Sequence, residues 1–577
     1  YLKEGDLTSL DVSNNTALET IECFSNSLVT LDFSNNTALN SLKCYNNQLT
    51  SLDVSNCTLL TYLHAGTNQL IALDVSASTG LTYLNTGTNQ LTSLDVSQNT
   101  ELTTLYVGFN SLTSLDVSAN TSLTLLKCPG NQLTSLDVST NTALETLDLW
   151  ANQLTYLNMR NGVTDSLILF KATGNELTCI ETLDPDYATA NWTNANENID
   201  EGVTFSVICG AQNQDVWHVA TTGSDGSGNG TQESPFATIQ VGINVAGDGN
   251  TVHVSAGTYV ENISYSGKSI SIIGEHRETT IVDADTSGRA FYFDGESQHT
   301  IAFSGFTITN GESGHGGGIY ITGTIEIDLF DLNVKENNCT GSGGGIYIYD
   351  SMGELTNVDI VNNESTNGSG GGIAMSNSDM ILNNVNVIDN YARYTSGGAS
   401  FGSDQFDEST TEWYNSVFSG NSCLYNASAI GMGDSIILSN LTVIQNTTEH
   451  CALSGGGNLT IINSIIRDNL VDGNVEEEAE IKFNGTLNMS YTNLSGEINA
   501  FYIAEESELI LGDGNIDADP LFCEADSGNY HIAGNSPCAG TGLDGANMGG
   551  LGVGCGDIWL PPTITAMQDT SMDEDSE

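Results

Sequence analysis

Leucine recurs with a period of 21 along the first 178 residues. The unit LTSLDVSNNTALETIECFSNS opens at Leu7 and again at Leu28, Leu49, Leu70, Leu91, Leu112 and Leu133, and Leu154 opens a longer last unit. Inside each unit the pattern L-x-x-L-x-L-x-x-N is written twice, as Leu18, Ile21, Cys23 and Asn26, then Leu28, Leu31, Phe33 and Asn36. A fixed period of this length means one structural unit per repeat, stacked so that each turn covers its neighbour's apolar edge. Each turn is therefore predicted to supply a short strand whose leucines enter a shared core. Asn at the tight bend can bond the backbone of adjacent turns, which predicts a ladder through Asn26, Asn47, Asn68, Asn89, Asn110, Asn131 and Asn152.

The period breaks at LTCIETLDPDYATANWTNANENIDEGVTFSVIC, which carries Cys179 and Cys209 at its two ends, and from Gly210 the composition shifts to Gly, Ser, Asn and Asp. Ser234 as N-cap and Pro235 as first residue predict a helix with Phe236, Ile239, Ile243 and Ala246 on one face, suited to plugging an open coil of strands. The chain beyond this helix reads as strands alone: TVHVSAG, SISIIG, AFYFDG, TIAFSG, GGGIYITG and IEIDLFDLNV alternate apolar and polar positions between Gly and Asn turns. Two columns recur. One is glycine-rich and ends at Gly318, Gly345, Gly372 and Gly398; the other is asparagine, at Asn337, Asn363, Asn390, Asn421, Asn446 and Asn469. Spacings of 27, 27 and 26 in the first, and of 26, 27, 31, 25 and 23 in the second, match one coil of a parallel β-helix with variable loops.

The 21-residue array resembles leucine-rich repeats, and LTSLDVSxNTxL is similar to the repeats of secreted proteins of the Bacteroidetes and related marine bacteria. The segment after it resembles the C-terminal cap of such arrays, which implies a Cys179–Cys209 bridge; a cap is needed because the last turn would otherwise expose its apolar edge. The glycine and asparagine columns resemble right-handed parallel β-helices of the pectate-lyase-like superfamily, and also the polymorphic outer-membrane proteins of chlamydiae. The segment GNIDADPLFCEADSGNYHIAGNSPCAGTGLDGANMGGLGVGC resembles the closing segment of secreted bacterial β-helices, which implies a Cys523–Cys555 pair and leaves Cys538 open. The fold class expected is mainly β, two consecutive solenoids with little helix. Its divisions are a leucine-rich repeat solenoid at 1–178, its cap and linker at 179–213, an N-terminal strand and capping helix of the β-helix at 214–249, the β-helix at 250–500, its C-terminal cap at 501–559 and an acidic linker at 560–577.

Charge narrows the function. Lys and Arg total 12 against 72 Asp and Glu, a net charge of −60. A phosphate-binding face needs clustered cations, so nucleic acid is excluded as a partner, and an anionic membrane surface is disfavoured by the same arithmetic. No apolar run approaches the ~18 to 20 residues of a spanning helix, which predicts no membrane insertion. Hydrophobic residues at 39%, laid down periodically, argue for a folded chain whose acidity suits a high-salt or calcium-rich exterior. The chain starts inside a pattern at Tyr1-Leu2-Lys3 and closes on PPTITAMQDTSMDEDSE, which reads as a fragment flanked by further modules, through which a monomer would be tethered.

Candidate chemistry is sparse. Cys23, Cys44 and Cys128 fall in the inward column shared with Ala65, Thr86, Val107 and Leu149, which suits small core residues, and Cys57 stands where its repeat has a turn Asn. Cys423 and Cys451 lie 28 apart, about one coil, so a bridge between adjacent coils ~4.8 Å apart is open to them. His315, in Gly314-His315-Gly316, invites comparison with pectin-cleaving hydrolases, yet the next coils read GSGGG at the same turn, which makes it a turn variant. A lyase would need a Lys or Arg base beside a bound cation, and the seven candidates, Lys268, Arg277, Arg289, Lys335, Arg393, Arg467 and Lys482, are scattered. The sequence names no active site.

Calcium is the one cofactor left open. Asp11, Asp32, Asp53, Asp74, Asp95, Asp116 and Asp137 recur once per turn, where solvent and the following Ser can satisfy them or calcium can bridge them. Asp513, Asn515, Asp517, Asp519 and Glu524 fall in an EF-hand-like register, interrupted by Ala518 and Pro520, that also reads as a polar cap loop. On the repeat strands, residues flanking the inward column face out on the concave side: Glu22 and Phe24, Lys43 and Tyr45, His64, Tyr106, Lys127, Asp148 and Trp150. Of these, Phe24, Tyr45, His64, Tyr106 and Trp150 are the expected ligand contacts, because flat rings cover apolar area at small entropic cost. The expected protein is secreted or on the bacterial cell surface, its solenoids displayed for adhesion to a surface protein or a polysaccharide. The alternative is an extracellular polysaccharide-degrading enzyme acting in the β-helix groove.

Overall fold

The structure, a computed structural model, describes residues 5–210, 214–295, 299–402, 410–433, 435–448, 450–471, 480–496 and 501–558. Tyr1-Leu2-Lys3 and the acidic segment 560–577 lie outside the described residues. The chain divides into two compact units, Tyr1–Ala246 and Gly247–Glu577.

In the first unit eight short parallel strands stack one per turn: Thr20–Glu22, Ser41–Lys43, Tyr62–His64, Tyr83–Asn85, Thr104–Tyr106, Leu125–Lys127, Thr146–Asp148 and Leu169–Lys171. We call this the front sheet. Its middle positions point inward, and Leu42, Leu63, Leu84, Leu105 and Leu126 are fully buried. The repeat asparagines stitch the turns together: Asn47 donates to the carbonyls of Cys23 and Cys44, and accepts from the Leu28 amide. The residue before each ladder Asn adopts a left-handed backbone, at Ser25, Asn46, Thr67, Thr88 and Phe109, with Gly130 in the same column. That conformation costs a non-glycine residue about 1 kcal/mol, which the bonds of the adjacent Asn offset. A second asparagine set, Asn36, Asn99, Asn120 and Asn141, bonds backbone carbonyls on the other side of the turn. Cys23, Cys44, Cys57 and Cys128 are buried free thiols, and burial pushes each of them up.

A back sheet of four strands, Ser135–Asp137, Tyr156–Met159, Cys179–Thr182 and Thr204–Ser206, closes the array. Cys179 and Cys209 are disulfide-bonded, with Cα atoms 5.8 Å apart. Between them a helix, Pro185–Asn191, starts on Asp184, whose side chain accepts from the Tyr187 amide. Beside the bridge Arg160 and Glu181 form a buried ion pair at 3.3 Å, and Tyr156 and the Cys209 amide also donate to Glu181. The helix expected from Ser234 starts later, at Ile239–Val245, capped by Thr238. Phe236 is instead extended, bridging Val219 and bonding His218 and Ala220 through its backbone, while Asp225 accepts from the amides of Ala237 and Thr238. Strand pairing took the residues that local propensity offered to the helix.

The second unit is a parallel β-helix. After two coils of three four-residue strands, the middle coils carry a four-residue strand such as Ile346–Tyr349, a ten-residue strand such as Met352–Val361 and a two-residue strand such as Glu364–Ser365, each in parallel register with its counterparts above and below. Leu329, Leu355 and Leu382 stand in one buried column, so a coil here consumes 26 or 27 residues. The ten-residue strands bend at a left-handed residue, Asp331, Asn357, Asn384, Asn415 and Asn440; Asn384 donates to Asn357 and Asn357 to Asp331, Asn440 donates to Asn415, and Asn415 donates to Asn383. The expected asparagine column is a second, buried ladder. Asn337 donates to Asn363, Asn363 to Asn390, Asn390 to Asn421, Asn421 to Asn446 and Asn446 to Asn469, each at 2.8–3.0 Å, and Asn469 ends the series by donating to the Glu480 carboxylate at 2.8 Å.

At the C-terminal end Cys523 and Cys555 are disulfide-bonded, and Cys538 is a buried free thiol that accepts from Asn493. No bridge joins Cys423 to Cys451. Cys423 lies beside Thr448, since Ser422 is in register with Thr447, whereas Cys451 is in register with Ala427. Twenty-eight residues are one coil in length, but this coil spends them differently, and both thiols remain free and buried.

Candidate recognition surface

The front sheet of the first unit presents three outward columns. Thr20, Ser41, Tyr62, Tyr83, Thr104 and Leu125 form the first; Glu22, Lys43, His64, Asn85, Tyr106, Lys127, Asp148 and Lys171 form the second. Just past the strands, Phe24, Tyr45, Gly66, Gly87, Gly108, Pro129 and Trp150 make the third by the same 21-residue period. The rings do not stand apart. Phe24 and Tyr45 stack with centroids 4.4 Å apart and planes 8° from parallel. Tyr45 in turn stacks on His64 at 4.1 Å. His64 belongs to the neighbouring column and lies across the space that a side chain at Gly66 would fill, since a Cβ there would meet His64 Nε2 at 3.4 Å and the Gly87 carbonyl at 3.0 Å. In the first column Tyr62 and Tyr83 stack at 4.2 Å and 5°, and Tyr106 of the second column lies 6.1 Å from Tyr83. Farther along, Trp150 meets Phe109 edge-to-face at 5.6 Å, above a floor of Gly108, Pro129 and Gly130.

All five rings expected from the sequence therefore lie on one surface, and Tyr62, Tyr83 and Phe109 join them. Tyr62 and Tyr83 occupy the strand position two before His64 and Asn85, so period-2 alternation applied in the other direction along the strand marks them as outward. Phe109 sits at the left-handed turn position, where a large apolar residue half exposed to solvent is itself a signal.

Electrostatics tie the columns together. Lys43 pairs with Glu22 at 2.9 Å and stands over the Tyr62 ring at 5.5 Å. Burial, with Lys43 nearby, brings His64 down to about 4, so it is neutral at physiological pH. Burial and the hydrogen bond with Tyr83 push Tyr62 up to about 12. Lys127 lies 5.8 Å from the Tyr106 ring and Lys171 5.8 Å from the Trp150 ring. Asp148, in register between those two lysines, is raised by burial against the opposing Trp150 backbone hydrogen bond and the pull of both lysines, and its Oδ1 is buried with no hydrogen-bond partner.

The other sequence candidates do not converge. Asp517 pairs with Arg467 at 2.7 Å, Asn515 bonds backbone at Thr492, Met489 and Gly512, and Asp519 caps the Leu521 amide. Among the described residues no group of three or more His, Cys, Asp or Glu is arranged to hold a metal ion. In the aspartate column, Asp11, Asp32, Asp53, Asp74, Asp95, Asp116 and Asp137 each accept from the amide of the Ser two residues on. His315 accepts from the Ser342 amide of the next coil, a turn contact. Arg277 joins two coils through Asp331 and Asp359, and Arg289 lies over Tyr320 at 4.6 Å. Lys482, over Tyr502 at 4.9 Å, lines a groove of about 330 Å³ on the second unit with Ser400, Gly431, Ser454 and Phe483, and no carboxylate is among its described lining residues.

No family model matches the chain, and no curated protein matches it. Among solved structures the chain is similar to the functional domain of InlJ from Listeria monocytogenes, at 28% identity over 52% of this chain and 72% of that one, with a TM-score of 0.28. A leucine-rich repeat protein of Leptospira interrogans is 22% identical over 34% of this chain and 53% of that one, at a TM-score of 0.29. Pectate lyase Pel9A is 13% identical over 60% of this chain and 98% of that one, at a TM-score of 0.36. Among the described residues no helix is long and apolar enough to cross a membrane.

Proposed function

We propose that this is a secreted or surface-displayed bacterial recognition protein whose front sheet contacts a partner, with the second unit as a spacer and secondary contact surface. The observation that carries this reading is the ring ladder. Eight aromatic or imidazole rings stand on the outward face of one sheet, and their scaffold of inward leucines and asparagine bonds has no need of them. Rings held by their neighbours lose little freedom on binding, which suits them to an interface.

Retention of the purified chain on an array of extracellular proteins and polysaccharides tests this. Tyr45→Ala/Tyr83→Ala should weaken the strongest retention at least ~10-fold, while Asp74→Asn/Asp95→Asn should leave it unchanged. Retention that ignores the rings would remove the front sheet from consideration.

A second reading, polysaccharide cleavage in the second unit, has Lys482 in its favour as a base beside a groove. An elimination also needs a cation or acid to stabilise the developing carboxylate anion. The described lining supplies hydroxyls, glycines and rings instead, which fit sugar contact better than proton abstraction. Appearance of unsaturated ends on incubation with anionic polysaccharides, abolished by Lys482→Met, would establish the enzyme.

A further inference from the structure

The charge distribution of the first unit restricts what its front sheet can receive. Four Lys and Arg lie among its described residues: Lys43, Lys127, Arg160 and Lys171. Arg160 is buried against Glu181, and the other three stand in a single column of the front sheet. Each described lysine of an otherwise acidic unit is therefore on the surface that carries the rings. They are not equivalent. Lys43 is neutralised by Glu22 at 2.9 Å. Lys171 reaches Glu197 only at 3.9 Å, through a carboxylate that is 82% exposed. Lys127 makes no ion pair among the described residues; its ammonium rests near the Tyr106 ring, and the Asp148 carboxylate stands in register between it and Lys171.

The rings add a constraint of their own. A pyranose binds an aromatic ring by lying on its open face, but in Phe24, Tyr45 and His64, and in Tyr62 and Tyr83, the faces are turned against one another at 4.1–4.4 Å. What such stacks present to a partner is their edges, the positive end of the ring quadrupole, together with phenolic hydroxyls. Ring edges, hydroxyl donors and ammonium groups all favour electron-rich, anionic acceptors. Beside them Gly87 carries no side chain, so an extended backbone can approach the sheet there, whereas the Pro129 ring packs against Gly108.

We propose that the front sheet of the first unit binds an acidic, extended protein segment, its carboxylates set against Lys127 and Lys171 and its backbone passing over Gly87. This rests on the reading of the front sheet as the recognition surface. At ~0.15 M salt the Debye length is about 8 Å, so the distant aspartate column is screened while contact pairs persist.

Fluorescence anisotropy of the full chain with labelled poly-L-glutamate tests the proposal, with poly-L-lysine and polygalacturonate as parallel probes. Poly-L-glutamate should bind, Lys127→Met/Lys171→Met should weaken it at least tenfold, and Lys43→Met should change it less than about twofold; equal thermal midpoints show that the variants are folded. Preference for poly-L-lysine, or indifference to the double substitution, overturns the inference. Polygalacturonate bound more tightly through the same lysines would assign the surface to an acidic glycan instead. If an array partner is held through the rings but none of the three polymers binds, the acidic-segment inference fails and the recognition surface stands; if no partner depends on the rings, both fail.

Discussion

Asn390, fully buried, makes five hydrogen bonds in the asparagine ladder of the second unit: to the Ile360 carbonyl, to Asn421 through both its side chain and its amide, and from the side chain and amide of Asn363. Asn390→Ala would strand the Ile360 carbonyl and the Asn363 amide away from water, at roughly 1–3 kcal/mol each, so a loss of about 3 kcal/mol or more is expected in urea unfolding of that unit. Asn440, whose side chain also donates to a ladder neighbour but at a partly exposed left-handed bend, gives the contrast: Asn440→Gly should cost less than about 1 kcal/mol, because glycine takes that backbone without strain. In the first unit pH acts through two sets of residues. His64 titrates lower in the fold than in an unfolded chain, so the unfolded state binds protons first and stability falls as pH drops from about 6.5 towards 4. Asp32, Asp53, Asp74 and Asp95 are lowered by the backbone and side chain of the following Ser, so their contribution is present above about pH 4 and lost below it. Thermal melts of His64→Gln should be flat across the upper window and still fall in the lower one.

At the level of elements, most of what repeats was legible in the sequence, and much of what depends on a single tertiary contact was not. The 21-residue register, the inward leucines and both asparagine columns follow from period alone, because each turn meets the same neighbours. The bend at Asn357, Asn384, Asn415 and Asn440 went unread although it repeats, since an asparagine inside an apolar strand looks like an ordinary outward position until its left-handed backbone is seen. The helix at Pro185–Asn191 carried a local signal in Asp184-Pro185, an N-cap followed by proline, overshadowed by the broken repeat around it. The Ser234 signal was equally good and yielded to strand pairing at Phe236. The ring surface was half visible: the outward rule marks each ring, but the lean of His64 onto Tyr45 depends on Gly66, two residues and one column away. The Cys179–Cys209 bridge closes a separation of 30 residues around helix and cap. Cys179→Ala/Cys209→Ala should lower the stability of the first unit by about 3–4 kcal/mol, read by calorimetry as a lower and broader transition.

For the whole molecule, the two units solve one problem by different means. Both stack identical backbone paths, and both place amide side chains where a turn would leave carbonyls unsatisfied. They differ in how much chain each layer holds: 21 residues per turn in the first, most often 26 or 27 per coil in the second. Contacts in such arrays are to the next layer, so stability is close to a sum over layers and their interfaces. The acidic exterior, a net −60 over the chain, opposes pairing of these long sheets with other copies through charge repulsion, a self-repulsion that salt relieves. The coil length of the β-helix also fixes how it yields to force. Tension along its axis acts on the hydrogen bonds between coils in series, so the end coil peels first, and each coil that leaves adds about 80–90 Å of slack chain while giving up ~4.8 Å of stacked height. Under such tension the β-helix would lengthen stepwise at nearly constant load, a brake rather than a rigid post.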